Sequence, residues 1–175
     1  RSPQQVTIAA QEANENITQR FYVYPKGAQR AGLEKLLLHY QPASAVVFCN
    51  TNKAVREVCE HLQQAGIDAR ALHGDMEQRD RDQVLTLFKH QSCTLLVATD
   101  VAARGLDIDD LPAVINADLP RDPEVYVHRI GRTGRAGKEG IALSLVQDSE
   151  IFRLNAIGDY QHKEINFEPI EKIPA

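Results

Sequence analysis

Ala45-Val46-Val47-Phe48-Cys49, closed by Asn50-Thr51-Asn52, is an unbroken apolar run that ends in a polar cluster. A run of this length bounded by turn residues reads as a strand buried on both faces. The period then changes. Val55, Val58, Cys59 and Leu62 stand at i, i+3, i+4 and i+7, one face of a helix that stops at Gly66, and Asp68 to Leu72 reads as a strand again. Two strands joined across a helix lie parallel in one sheet, so this stretch predicts a layered α/β domain.

The alternation continues in both directions. Upstream, Gln19 to Tyr24 is strand-like and Ala28 to Tyr40 helical. Downstream come a charged helix, Glu77 to His90, with Val84, Leu87 and Phe88 inward, a buried strand, Cys93 to Ala98, and another, Ala113 to Asn116. Asp122-Pro123 is an N-cap followed by Pro at the first helical position, opening a helix that runs toward Gly131 or Gly134. Ile141 to Val146 and a last helix from Glu150 to Tyr160 close the pattern. Residues 1–17 read as a linker or the tail of a preceding domain, 18–160 as the domain, and 161–175 as a C-terminal tail or connector. No internal repeat or low-complexity segment is present.

Composition narrows the function classes. The 175 residues are 43% hydrophobic and 25% charged, the usage of an ordinary globular domain. A chain of this size forms a core without staples. Twenty Lys and Arg against 24 Asp and Glu leave a net charge of −4, so any nucleic-acid site must be local. No apolar run approaches a membrane span and no signal peptide opens the chain, which predicts a soluble, cytoplasmic protein. Cys49, Cys59 and Cys93 form an odd count with no close pair, and the six histidines are scattered, so neither a disulfide framework nor a structural metal is expected.

In a parallel sheet, ligands sit outside the carboxyl ends of the strands, which singles out the loops at Asn50-Thr51-Asn52, His73-Gly74-Asp75 and Thr99 to Asp107. A further cluster, His128 to Lys138, holds four formal positives and no acid in eleven residues. If the helix from Asp122 continues, His128, Arg132 and Arg135 share one face, while Val127 and Ile130 turn inward. Guanidinium forks suit phosphate oxygens, and Gly131, Gly134 and Gly137 let backbone approach. Taken singly these signals are weak: an arginine cluster is commonly a solvated face, and Arg104 with Asp107 commonly a surface pair. The order G-x-G-x-x-G of a dinucleotide fold is absent.

Together, Val46 to Thr51, His73-Gly74-Asp75, Gln78-Arg79-Asp80-Arg81, Ala98 to Asp107 and His128 to Arg135 resemble, in order and spacing, the motifs of the second RecA-like domain of DEAD-box RNA helicases. The resemblance covers Thr18 to Val146, and Gly74 to Ile108 is similar to the bacterial DbpA type. It implies a three-layer α/β/α RecA-like domain with a mainly parallel sheet. It also implies the C-terminal half of an ATP-dependent RNA helicase that unwinds short RNA duplexes, with ribosome assembly as the setting. The family's first RecA-like domain carries a Walker A loop and a D-E-A-D motif for ATP and Mg2+. This chain has neither, so that domain is expected upstream, and the present fragment alone is expected to be an inactive monomer.

Carried over residue by residue, Arg132 and Arg135 resemble the arginines that reach the γ-phosphate, Asp107 the ribose contact, and Gly105 part of the nucleotide loop. Arg129 is expected to support that motif, with Phe48 packing against its helix. His128 and Gln78 resemble interdomain coupling residues. Asn50, Thr51, Gly74, Arg81, Thr99 and Arg104 would meet the RNA backbone, contacts that position a strand without reading its sequence. Where the family often has a basic residue after Thr51, this chain has Asn52. A non-catalytic RNA- or protein-binding module and a DNA-unwinding relative are the competing readings.

Overall fold

The computed structural model describes residues 16–174. Apart from Asn16 and Ile17, the expected linker lies outside them. Seven strands form one sheet in the order β3-β4-β2-β5-β6-β1-β7, every pair of them parallel. They are β1 (Ile17–Tyr24), β2 (Ala45–Phe48), β3 (Ala69–Leu72), β4 (Leu95–Ala98), β5 (Ala113–Asn116), β6 (Gly140–Gln147) and β7 (Phe167–Pro169). The helices are α1 (Gln29–Tyr40), α2 (Asn52–Gln64), α3 (Gln78–Lys89), α4 (Asp100–Ala103), α5 (Pro123–Ile130) and α6 (Arg153–Gln161).

The strand period of two divides the core. Val47, Cys49, Val97, Ile115 and Leu145 point to one face, where they meet Leu33, Leu36 and Leu37 of α1 and Val55, Val58 and Leu62 of α2. Val46, Phe48, Leu96, Val114 and Phe21 point to the other, under α3 and α4 at one end and α5 and α6 at the other. Three layers result, as expected. The central strands are buried throughout, which is why they read as continuous apolar runs.

Two elements depart from the expected pattern. The one-turn helix α4 has no periodic signal at four residues, and Thr99 starts it by accepting the Ala102 N–H at 3.2 Å. The segment expected as a packed tail or a connector is packed on the domain, and it adds a strand that was not expected: β7 pairs with β1, and Ile170 and Ile173 are buried in the core beside α1. The fold therefore runs past residue 160. Its apolar anchors are too few and too spaced to register as a strand in sequence.

Beyond β2 the chain crosses to β3 through β4's neighbour position, whereas beyond β5 it crosses to β6 on the opposite side. The carboxyl ends of β2 and β5 thus flank a topological switch point, where a crevice opens.

Candidate functional site

Arg129 occupies this crevice. Only 2% of the residue is exposed, and all five guanidinium N–H groups donate. Nε and Nη2 hold the two Asp100 carboxylate oxygens at 2.7 Å each, Nη1 reaches Asn116 Oδ1 at 3.1 Å and the Asp118 carbonyl at 2.8 Å, and Nη2 also reaches Asn50 Oδ1 at 2.7 Å. A buried cation is tolerable only when so completely paired. Its Cζ lies over the Phe48 ring, 5.3 Å from the centroid. The expected supporting role of Arg129 and the packing of Phe48 against its helix are both present.

Asn116, wholly buried, also donates to Ser144 Oγ at 3.0 Å, and the Asp118 carboxylate accepts from the Asn50 N–H and from Gln29. Sequence reading passed over Asn116, Ser144 and Asp118. Polar residues inside otherwise apolar strand runs were the available signal.

The helix from Asp122 is capped as expected, Asp122 Oδ1 accepting from the Glu124 N–H at 2.9 Å, but it ends at Ile130. His128, Arg132 and Arg135 therefore do not share a helical face. The chain turns after Gly131 because Thr133 is drawn inward: it is wholly buried, its hydroxyl donates to the Leu111 carbonyl, and Leu111 N–H donates to the Arg132 carbonyl at 3.0 Å. Val127 and Ile130 face the core as expected.

Arg132, half-buried, folds back onto the loop after α4. Its guanidinium donates to the carbonyls of Ala103 at 3.0 Å, Leu106 at 3.1 Å and Ile108 at 3.2 Å. Arg135 is exposed and, among the described residues, its guanidinium donates only to the Gly131 carbonyl, at 3.1 Å. A cleft of about 240 Å³ lies beside Arg132, walled by Phe48, Arg104, Gly105, Val125 and His128. Arg104, Gly105, His128 and Arg132 are thus brought together; Asp107 and Arg135 are exposed outside the cleft wall. Among the described residues Arg104 and Asp107 form no ion pair with each other, so the surface-pair reading of that loop lacks its contact.

Of the three glycines expected to admit close approach, Gly134 does so against another element, β1. A Cβ there would stand 2.7 Å from Ile17 Cγ1, and its φ is +68°. Gly131 is right-handed helical, and Gly137, at φ +77°, faces open space.

The loops after β2, β3 and β4 are neighbours because their strands are. Thr51 and Thr99 cap α2 and α4, each hydroxyl oxygen accepting from its helix, which leaves the hydroxyl proton to donate outward. Thr51 is exposed, Thr99 nearly buried. Asn50 is exposed as a residue, but its backbone N–H donates to Asp118 and its side-chain amide is committed, accepting from Arg129 and donating to the Leu119 carbonyl at 3.2 Å. Asn52 Oδ1 accepts the Gly74 N–H at 3.3 Å and ties two of these loops together.

His73 is buried, with Nδ1 accepting the Asp75 N–H at 3.2 Å; burial and the Arg56 charge lower its pKa and hold it neutral. Gln78 opens α3 and donates to Asp82 at 2.8 Å, while Arg81, one turn on, keeps a buried Nε with no partner among the described residues. Among the described residues no cluster of three His, Cys, Asp or Glu could hold a metal ion, and no helix is long and apolar enough to cross a membrane.

The model of the helicase conserved C-terminal domain matches residues 28–137, which hold the crevice, the Thr99–Asp107 loop and the arginine turn. The chain belongs to that family. The C-terminal domain of the DEAD-box protein Dbp5 is 31% identical and superposes with a TM-score of 0.81 over 90% of this chain and 92% of its own. Dbp5 of S. cerevisiae bound to RNA and ADP BeF3, also 31% identical, superposes at 0.82 over 93% of this chain and 44% of its own.

The ATP-dependent RNA helicase DbpA of Escherichia coli is 48% identical over 96% of this chain. The chain spans 37% of that relative's length. The helicase C-terminal domain described here is therefore of the DEAD-box kind, with the RecA-like α/β fold expected from its motifs.

Proposed function

We propose that this domain is the C-terminal half of an ATP-dependent RNA helicase, closing on ATP and RNA with a first RecA-like domain that holds ATP and Mg2+. The observation that carries the reading is the cleft at the switch point, where Arg104, Gly105, His128 and Arg132 converge on an open face. A permanently charged fork suits the phosphates of a nucleotide that another surface delivers, and the exposed carboxylate of the neighbouring loop suits a ribose hydroxyl.

Arg132 and Arg135 would meet the γ-phosphate, Asp107 the ribose, with Gly105 shaping that loop. Asn50, Thr51, Gly74, Thr99, Arg81 and Arg104 would meet RNA phosphates and sugar hydroxyls. Gln78 and His128 would contact the first domain. Closure would bend one strand out of a duplex, and hydrolysis would reopen the pair. A setting in ribosome assembly rests on the DbpA-type resemblance, and a cytoplasmic location and a monomeric state are part of the same reading.

The domain alone, titrated with single-stranded RNA, should bind weakly, with an affinity that falls steeply as salt rises, because each phosphate contact releases counterions. It should hydrolyse no ATP, while the protein that includes the first domain should hydrolyse ATP on adding RNA. Salt-independent binding, or RNA-stimulated hydrolysis by the domain alone, would refute this division of labour.

A further inference from the structure

Arg129 and Arg132 stand three residues apart, and so do the two residues they grip, Asp100 and Ala103, the first and last residues of α4. Arg129 holds the start of that helix through both carboxylate oxygens at 2.7 Å. Arg132 holds its end through the Ala103 carbonyl at 3.0 Å, then runs on to the carbonyls of Leu106 and Ile108. One helical turn clamped at both ends has no internal hinge. Its buried residues, Ala102 and Ala103, rest on the core, and its ends are Thr99, whose hydroxyl caps it, and Arg104.

We propose that Asp100 is a positioning residue for ATP turnover: through the α4 strut it makes occupancy of the Thr99–Arg104 loop set where Arg132 points. This rests on the proposed function, which assigns Thr99 and Arg104 to RNA and Arg132 to phosphate. The geometry points to Asp100 because it is the one acidic group on the strut. Arg129 is anchored without it, by Asn50, Asn116 and the Asp118 carbonyl. Neutralising Asp100 therefore loosens the strut from the crevice while the guanidinium keeps three acceptors.

Arg132, in turn, spends three of its five N–H groups on loop carbonyls, which leaves Nε and one Nη2 hydrogen for a phosphate and makes those carbonyls fix the direction in which they point. Movement of α4 by a strand held at Thr99 and Arg104 shifts the Ala103 carbonyl and re-aims the free N–H groups.

The test is steady-state ATP hydrolysis by the protein carrying both RecA-like domains, with Asp100→Asn, Asp100→Glu and Arg135→Lys. Asp100→Asn is expected to lower turnover at saturating RNA about tenfold or more, the scale on which small misplacements of a catalytic group act. The RNA and ATP concentrations for half-maximal rate should stay near wild type. Asp100→Glu, which restores the charge, should recover part of that loss. Thermal melts establish the folded fraction at the assay temperature.

Wild-type turnover for Asp100→Asn, or a loss no greater than its unfolded fraction, overturns the proposal. If Asp100→Asn does not fold, Asp100→Glu decides: reduced turnover in a fully folded protein supports the strut, and wild-type turnover overturns it. Among the described residues Arg135 makes no hydrogen bond or ion pair with α4. Reduced turnover in Arg135→Lys with wild-type Asp100→Asn sinks the strut alone, whereas wild-type turnover in both sinks the proposed function with it.

Discussion

Arg129 stacks over Phe48 with its Cζ 5.3 Å from the ring centroid, while its edge takes up five hydrogen bonds at the carboxyl ends of β2 and β5 and the start of α4. Lysine offers three donors from one point and no planar face, so Arg129→Lys strands several buried acceptors. The expected cost is about 3 kcal/mol, at the low end for breaking a buried pair. A urea unfolding midpoint for the isolated domain measures it; a loss below about 1 kcal/mol would mean that solvent replaces the lost bonds.

Gly134 and Gly137 both have positive φ, but only one is crowded. Gly137→Ala should cost about 1–2 kcal/mol, the left-handed penalty alone. Gly134→Ala adds overpacking against Ile17 of about 1–3 kcal/mol. Equal losses in the two variants would show that β1 yields to the added methyl.

Asp107 is exposed and has no ion pair among the described residues. In the protein with both domains, Asp107→Ala should raise KM for ATP with kcat nearly unchanged, because a ribose contact holds ground state and transition state alike. Stability should stay within about 0.5 kcal/mol of wild type, as for an exposed position. An unchanged KM with a large stability loss would return Asp107 to a structural role.

Burial raises the Cys59 thiol to about 11 and the Tyr24 phenol, beside Asp118, to about 12; it also pushes Cys49, Cys93, Tyr22 and Tyr126 upward. In the unfolded chain these groups ionise near pH 8.5 for thiols and about 10 for phenols. Between those values and the folded ones the unfolded state binds fewer protons, so stability falls as pH rises. It should be full at pH 7 and decline from about pH 9 through 11. Urea midpoints across that range test the sign, and Cys59→Ala should flatten part of the slope.

The β-α-β alternation was legible because its causes are local. Strands buried on both faces must be apolar throughout, as Ala45 to Phe48 and Leu95 to Ala98 are, and Val55, Val58, Cys59 and Leu62 mark a helix period that needs no distant partner. The motifs themselves, and the three-layer fold they imply, stood in the sequence. The support given by Arg129 was expected from the family resemblance alone, since helix period does not set it on the face of Val127 and Ile130; its burial is a finding of the structure.

Tertiary structure alone decided which acceptors. Those of Arg129 come from positions 11 to 79 residues away, assembled only when β2 and β5 lie side by side. The same assembly commits the Asn50 amide, joins Asn52 to Gly74, and draws Thr133 inward so that the helix stops before Arg132 and Arg135. It also gives α4 and β7 their existence: at four and three residues, neither has a periodic face long enough to declare itself, and both are held by what they touch. A local pattern records which way a side chain must face, whereas a hydrogen bond across a parallel sheet depends on strand order, which no single segment contains.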